Sequence, residues 1–191
     1  GQKILEVTNE TLKKKEILVS RSFGSSVYDI DSLKKAIANF TSNVCEKLRR
    51  QKSLASAIGL YLRTSPFKEI EQYHAYDEFL RYSPTQDTRK LINNAFSVLE
   101  NLYRPGIEYK KAGIKLTRLV DDDEAQMSFF DEMDQDKSNE LMAVIDKINQ
   151  IYGPNMVRSL ACGASEGGHK ARQEKLSPGY LTRWSDIPRC K

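Results

Sequence analysis

The sequence predicts an α+β fold in which two helices cover one face of a four-stranded sheet. Two segments with apolar residues at helical spacing are interleaved with four short, partly alternating segments, in the order β-α-β-β-α-β. Glycine or proline closes several of these segments. A sheet covered on one face leaves its other face available to a partner. The chain has 191 residues, of which 39% are hydrophobic, which is enough for one such core and a smaller extra unit.

The first half of the pattern contains a strand, a helix and a second strand. A β-branched, partly alternating segment from Glu16 to Phe23, closed by Gly24, predicts the first strand. Asp31 is predicted to cap the first helix, because its side chain can accept a hydrogen bond from the first turn. The second strand is predicted over residues 58–63. The apolar positions of the helix are Leu33, Ile37, Phe40, Val44 and Leu48.

The second half contains two strands around the second helix. A break at Ser65–Pro66 precedes a predicted strand over residues 73–82, adjacent to the previous one. Asp87 or Thr88 is predicted to cap the second helix, and Pro105–Gly106 ends it. Alternation over residues 112–117 predicts the fourth strand. The apolar positions of the helix are Leu91, Ala95, Leu99 and Leu102.

The charge changes sign along the chain and divides it into segments. Residues 1–120 carry 21 Lys and Arg against 13 Asp and Glu, whereas residues 121–150 carry 2 against 10 and residues 151–191 carry 7 against 3. A basic domain followed by an acidic segment favours a polyanion as the partner of the first and a protein as the partner of the second. We therefore predict a folded domain over residues 14–120, a flexible acidic linker over residues 121–137 and a small helical unit over residues 138–191.

The acidic linker contains a short apolar motif. Gln126, Met127, Ser128, Phe129 and Phe130 stand in a segment with eight acidic residues and no basic one between Asp121 and Asp136. Such a polar segment cannot bury its own aromatic side chains. The motif therefore predicts a docking peptide for a protein partner.

One helix is predicted beyond the linker. Ser138 is predicted to cap it, and Gly153–Pro154 to end it. A single helix cannot bury an apolar stripe by itself, so either the last forty residues fold back on the stripe or a partner covers it. The stripe consists of Leu141, Val144, Ile145, Ile148 and Ile151.

Several function classes have no support in the sequence. No apolar run approaches the ~20 residues that span a bilayer, so we expect no membrane association and a cytoplasmic protein. Cys162, His169 and Cys190 match no zinc-ligand spacing, and we expect no metal site. Asp121–Glu124 is typical of a solvated run rather than of a pair of magnesium-binding carboxylates. With no other catalytic motif, we expect this chain by itself not to be an enzyme.

Three stretches of the chain resemble the UmuC family, the catalytic subunits of the bacterial translesion polymerase V, within the Y family of DNA polymerases. The stretches are residues 20–24, residues 103–113 and the tail residues 173–178 with 182–184. The resemblance covers the C-terminal half of such proteins. It implies a little finger domain over residues 14–120, preceded by a linker from a missing thumb over residues 1–13. It also implies a clamp-binding linker and a UmuC-type C-terminal region.

The resemblance also implies partners and roles for individual residues. The little finger of this family grips the backbone of primer–template duplex DNA, and the motif at residues 126–130 is similar to the peptide that binds the bacterial β sliding clamp, with Phe129 in place of the usual leucine. The C-terminal region would assemble with the UmuD′ dimer and RecA filaments in SOS mutagenesis. Magnesium would belong to the missing catalytic part, so this chain needs no cofactor. The implied DNA contacts are Arg21, Ser22, Arg63, Arg81, Lys110, Lys111 and Lys115.

Two alternatives remain open from the sequence. The equivalent part of polymerase IV would end near the clamp motif, whereas this chain continues for about sixty residues. A stand-alone module of the same fold that binds nucleic acid or protein would present stacking aromatics on its central strands, where Tyr61 and Tyr76 are the candidates.

Overall fold

The computed structural model describes residues 13–123, 132–163 and 177–187, and it confirms the order β-α-β-β-α-β. The strands are longer than predicted, because main-chain pairing continues through polar residues that periodicity does not mark. The elements are β1 (Ile17–Val27), α1 (Ile30–Arg50), β2 (Ser53–Arg63), β3 (His74–Thr85), α2 (Thr88–Leu102), β4 (Tyr109–Asp121) and α3 (Glu132–Tyr152), with 3-10 turns at Leu160–Cys162 and Trp184–Asp186.

The four strands form one antiparallel sheet in the order β1-β4-β2-β3. The two central strands, β4 and β2, are therefore those most removed from solvent, and β1 and β3 are the edges. We call β1 to β4 with α1 and α2 the sheet domain. Its α+β architecture is the predicted one, with both helices on one face.

The core lies between the sheet and the two helices. Leu33, Ile37 and Leu48 of α1 are fully buried together with Ile58 of β2 and Ile114 of β4. The predicted helical stripes supply most of the helix side of this core, because apolar residues three and four apart share one face of a helix. This burial is the main source of stability for the domain.

The two helices of the sheet domain begin at aspartate caps. Asp29, and not the predicted Asp31, caps α1: its side chain accepts a hydrogen bond from Ser32 N at 2.7 Å, which lowers its pKa. Asp31 instead lies in the first turn, where a negative charge interacts favourably with the helix dipole. Asp87 caps α2 through Arg89 N, as one of the two predicted residues.

Helix α3 begins earlier than predicted. It starts at Glu132, so Ser138 lies inside the helix and is not its cap. Ser138 is buried, and its hydroxyl donates to Asp87 Oδ2 at 2.6 Å. The serine was mistaken for a cap because it carries the right side chain at the end of an acidic run, whereas its partner is the cap of another helix.

Residues 132–163, which we call the C-terminal unit, pack on the outer side of α1 and α2. Arg49 of α1 makes two hydrogen bonds with the Asp146 carboxylate, at 2.6 and 2.7 Å, and donates to Gln86 O and Thr88 Oγ1. Met142 and Cys162 are buried. The unit therefore docks on the helical side of the sheet domain and leaves the far side of the sheet uncovered.

The predicted apolar stripe of α3 is not the face that docks. Leu141, Val144 and Ile151 are exposed, and residues 160–162 fold back on α1 rather than on the stripe. The part of the tail that the structure describes therefore leaves the stripe open to solvent. No helix among the described residues is long and apolar enough to cross a membrane.

Candidate nucleic-acid interface

The sheet turns one face away from the helices. Residues directly opposite one another on neighbouring strands share a face, and successive residues on a strand alternate between faces. Val19, Leu62 and Ala112 belong to the core, so the residues next to them project to the opposite side. We call this side the open face.

One row across the open face combines three cationic or titratable side chains with a serine. Ser22 of β1 pairs with Lys111 of β4, Lys111 pairs with Arg63 of β2, and Arg63 pairs with His74 of β3. The Cβ atoms of such neighbours lie about 5 Å apart. No ion pair of Lys111 or Arg63 occurs among the residues that the structure describes. We call these four residues the basic row.

The next row contains a tyrosine that lies across a glycine. Ser20, Gly113, Tyr61 and Tyr76 are paired in this order across the four strands. A Cβ placed on Gly113 would be 2.4 Å from the Tyr61 ring and 2.7 Å from Ser20 Cβ. Only glycine leaves room for the ring at this position. Tyr61 is thereby held flat against β4, beside the basic row.

Tyr76 makes a similar contact one strand further on. A Cβ on Gly59 would be 2.3 Å from Tyr76 Oη, and the hydroxyl donates to Glu78 Oε2 at 2.9 Å. Burial and the Glu78 carboxylate together raise the pKa of Tyr76 to about 12. The phenol therefore stays neutral at physiological pH. Both candidate stacking aromatics thus lie on the open face.

The predicted DNA contacts fall into two groups. Ser22, Arg63 and Lys111 meet in the basic row, and Lys115 lies on the same face, where it forms an ion pair with Glu16 at 2.6 Å. The pair partly neutralises the charge of Lys115.

Arg21, Lys110 and Arg81 lie elsewhere. Arg21 pairs with Ala112, so it belongs to the helix-side face, where its guanidinium donates to Ser20 O at 3.1 Å. Lys110 Nζ donates to Phe23 O at 2.6 Å and Gly24 O at 3.3 Å, where β1 departs from regular pairing. Arg81 Nε donates to Ser83 O within β3. These three cations therefore have contacts within the sheet domain itself.

His74 and Ser20 are members of the open face that the sequence did not indicate. His74 stands next to Arg63, and Ser20 stands next to Gly113. Alternation alone assigns a residue to one of two faces, but only the strand order brings β1 beside β4 and β4 beside β2. That non-local pairing is the signal that would have found them.

The clamp motif, residues 126–130, lies outside the described residues. The structure describes what stands on either side of it. On one side, Asp122 N donates to Lys52 O at 3.2 Å, just after β4. On the other, Ser138 of α3 contacts Asp87.

The cysteines that the structure describes are core residues. Burial raises the pKa of Cys45 to about 12 and also raises the pKa of Cys162, whose sulfur lies 3.6 Å from Ser42 Oγ. Neither is a reactive thiolate. No group of three potential metal ligands occurs among the described residues. His169 and Cys190, the other residues considered for zinc, lie outside them.

Comparison with known proteins gives two family matches. Residues 14–129 match the impB/mucB/samB family C-terminal domain, and residues 139–190 match a domain of unknown function, DUF4113. The first match spans the whole sheet domain and the second the region beyond the linker.

Individual relatives agree with these matches. Protein UmuC of Salmonella typhimurium is 34% identical over all of this chain and 46% of its own length, and Protein SamB of the same species is 33% identical over all of this chain and 45% of its own. Protein MucB of Escherichia coli is 32% identical over 98% of this chain and 44% of its own length. The chain spans about half the length of the curated relatives it matches.

Among solved structures, a complex of the β-clamp processivity factor and the little finger domain of PolIV aligns with 60% of this chain and 97% of that chain, with 17% identity and a TM-score of 0.43. The resemblance to UmuC inferred from the sequence is confirmed by the relatives above. On the match over residues 14–129, this chain belongs to the impB/mucB/samB family and contains its C-terminal domain.

Proposed function

We propose that this chain is the DNA-holding and clamp-docking part of an error-prone translesion DNA polymerase, and that its open face grips the backbone of primer–template duplex. The observation that supports the proposal most is the basic row. Lys111 and Arg63 stand side by side on a face that the helices and the C-terminal unit leave uncovered, flanked by Ser22 and His74.

The chemistry of the row suits a phosphate backbone. Lysine, arginine and serine side chains donate hydrogen bonds to phosphate oxygens, and such contacts position a duplex without reading its sequence. A polymerase that copies damaged templates needs this kind of grip, since the bases it meets vary. Ser20 and Ser22 add hydroxyl donors along β1, and Lys115 adds a further charge that its ion pair with Glu16 reduces.

Charge reversal tests the DNA proposal. In Lys111→Glu and Arg63→Glu, affinity for duplex should fall, and the slope of log K against log salt should decrease by about 0.9 for each phosphate that the variant no longer neutralises. Lys47→Glu is the matched control, because Lys47 is an exposed residue in the last turn of α1, on the helical side. An equal decrease of affinity in all three variants would mean that binding follows net charge rather than the open face.

The second part of the proposal concerns residues 126–130. We propose that Met127, Phe129 and Phe130 fill a pocket of the β sliding clamp and that the Gln126 amide bonds at its rim. Burying three such side chains gives roughly 5 to 8 kcal/mol before the cost of ordering the peptide, so the expected binding is micromolar at its strongest. A complex of this strength can exchange during synthesis.

The clamp proposal has its own test. Replacement of Gln126, Phe129 and Phe130 by alanine should abolish micromolar binding to a bacterial sliding clamp and leave duplex binding unchanged. Retained clamp binding would assign the contact to another surface. Because the two tests use different variants and ligands, failure of one leaves the other informative.

The remaining roles belong to the parent protein. We propose that the missing part is a Y-family catalytic core that holds magnesium, that this chain itself carries no cofactor, and that the C-terminal region assembles with the UmuD′ dimer and RecA filaments in the bacterial cytoplasm during SOS repair and mutagenesis. The match of the whole chain to Protein UmuC supports this context.

A stand-alone nucleic-acid-binding module is the second candidate function. Tyr61 and Tyr76 on the open face favour it, since aromatic rings on central strands stack on unpaired bases in such modules. Tyr61→Leu should then weaken single-strand binding strongly, whereas a duplex grip depends on Lys111 and Arg63.

A further inference from the structure

Helix α3 has two faces with different roles. One is docked: Ser138 bonds to Asp87, Met142 is buried, and Asp146 pairs with Arg49. These contacts fix the rotation of the helix about its axis. The face turned away from the sheet domain carries apolar residues three, four and three positions apart, Leu141, Val144, Ile148 and Ile151, which we call the α3 stripe.

The α3 stripe is more exposed than an apolar helix face should be. Val144 retains 55% and Ile151 63% of its accessible surface. A contiguous apolar stripe of this kind marks an interaction surface. Because docking fixes the outward direction of the stripe, the sheet domain cannot cover it.

A second uncovered apolar surface lies in the same chain. Residues 177–187, which we call the tail turn, close on themselves: Gly179 N donates to Asp186 Oδ2 at 2.8 Å and Arg183 N donates to Gly179 O at 2.8 Å. The turn displays Leu181, fully exposed, and Trp184, 91% exposed. In the part of the chain that the structure describes, no hydrogen bond or ion pair joins the turn to α3 or to the sheet domain.

The covalent connection allows these two surfaces to meet. Thirteen residues, 164–176, join them, and such a length reaches at most about 45 Å when fully extended. Helix α3 has 21 residues and is therefore about 31 Å long. The tail turn can reach every part of the α3 stripe.

The tail turn itself is neutral, with Arg183 and Asp186, but the chain on either side of it has a charge opposite to that of α3. Helix α3 contains five Asp and Glu against two Lys, whereas residues 164–191 contain six Lys and Arg against three Asp and Glu. A tether of this length also gives an effective concentration in the millimolar range. Attraction thus favours contact between α3 and the tail, and proximity favours this contact within one chain over contact with another molecule.

We propose that the tail turn docks on the α3 stripe of its own chain, with Trp184 and Leu181 as the apolar anchors. In this docked arrangement, which we call the closed form, the α3 stripe and the apolar residues of the tail turn cover each other. It places the end of the chain beside the C-terminal unit, on the side of the molecule opposite the open face.

Trp184 is the only tryptophan of the 191-residue chain, so its fluorescence reports this contact directly. In the closed form the indole is shielded from a soluble quencher such as acrylamide. Val144→Asp places a charge on the stripe at an exposed position, which leaves folding intact. Quenching of Trp184 should then rise about two-fold, provided that tethering keeps at least half of the molecules closed. Gln150→Asp introduces the same charge on another exposed face of α3 and should change nothing.

Two outcomes would overturn the proposal. Equal and complete quenching in the parent chain and in Val144→Asp would show that Trp184 does not contact the stripe. Shielding that grows with protein concentration would identify a second copy of the chain as the occupant. Docking in cis predicts shielding that is constant over a hundred-fold dilution.

Discussion

The two sides of the sheet domain use their cations differently. On the helical side, Arg49 donates four hydrogen bonds to Asp146, Gln86 and Thr88, and at the edge of β4 Lys110 donates to two main-chain carbonyls of β1. On the open face, Lys111 and Arg63 stand together with no ion pair among the described residues. Cations of the first kind stabilise structure, and those of the second kind are available to a ligand.

The contrast explains why net charge is a poor guide to a binding surface. The first 120 residues have an excess of eight positive charges, yet several of the cations sit in contacts within the domain. What distinguishes the open face is the absence of a covering element and the alignment of side chains across four strands. Replacing cations on the helical side should therefore affect stability, and replacing cations on the open face should affect binding.

The largest effect on stability is expected from Arg49→Ala. The substitution leaves Asp146, whose side chain is 30% exposed, without its partner, and losing one member of such a half-buried, hydrogen-bonded pair should cost about 2 to 3 kcal/mol. Urea denaturation should show this decrease, and α3 amides should exchange faster. Arg50→Ala is the control, because Arg50 is exposed and pairs with Glu46 on the surface of the same helix, so about 0.5 kcal/mol is expected. Equal effects of the two variants would contradict the assigned role of Arg49.

A smaller destabilisation is expected from Gly113→Ala on the open face. The added Cβ would lie 2.4 Å from the Tyr61 ring and 2.7 Å from Ser20 Cβ, so the ring must move, at about 1 to 3 kcal/mol. At Gly59 the three atoms nearest to an added Cβ all belong to the outer end of the Tyr76 side chain, so Gly59→Ala should cost less. Thermal unfolding of both variants tests whether Gly113→Ala is the more destabilising of the two. A larger destabilisation in Gly59→Ala would show that the Tyr61 ring is not held against β4.

The smallest effect is a dependence on pH at Asp87. Burial disfavours its charge, but hydrogen bonds from Arg89 and Ser138 outweigh burial and keep its pKa below the ordinary value. A lowered folded-state pKa adds stability that is fully present above the unfolded pKa of about 4 and is lost as pH falls through the folded pKa.

Asp87→Asn tests this assignment. Asparagine still caps a helix but does not ionise, so the free energy of unfolding of the variant should be roughly 1 kcal/mol lower at pH 7. Measured by urea denaturation, its stability should also decrease less than that of the parent chain as the pH falls below 4. If the stability of the variant decreases at low pH as much as that of the parent chain, carboxyl groups other than Asp87 cause the pH dependence.

Much of the fold could be predicted from local pattern. The stripes of α1 and α2 are regular, and Asp87 and Pro105–Gly106 mark the ends of α2. The errors arose where a side chain serves a distant partner. Ser138 resembles a cap in sequence and is instead a donor to Asp87, while α3 docks through Met142 and Asp146 rather than through its most apolar face.

The candidate site was predicted only in part for a similar reason. Ser22, Arg63 and Lys111 were named from the sequence, and strand order then placed them in one row with His74. Lys110 and Lys111 were both implied as DNA contacts, but Lys110 donates to Phe23 O and Gly24 O, whereas Lys111 lies in the basic row. Which side chains share a face depends on how distant strands pair, and this pairing cannot be read from a single sequence.

An NMR titration of the isotope-labelled chain with primer–template duplex tests most directly whether the open face binds DNA. Amide shifts should concentrate at Ser22, Arg63 and Lys111 on the open face, and the amides of Lys47 and the rest of the helical side should stay unchanged. Shifts that cluster on α1, α2 or α3 would contradict DNA binding by the open face.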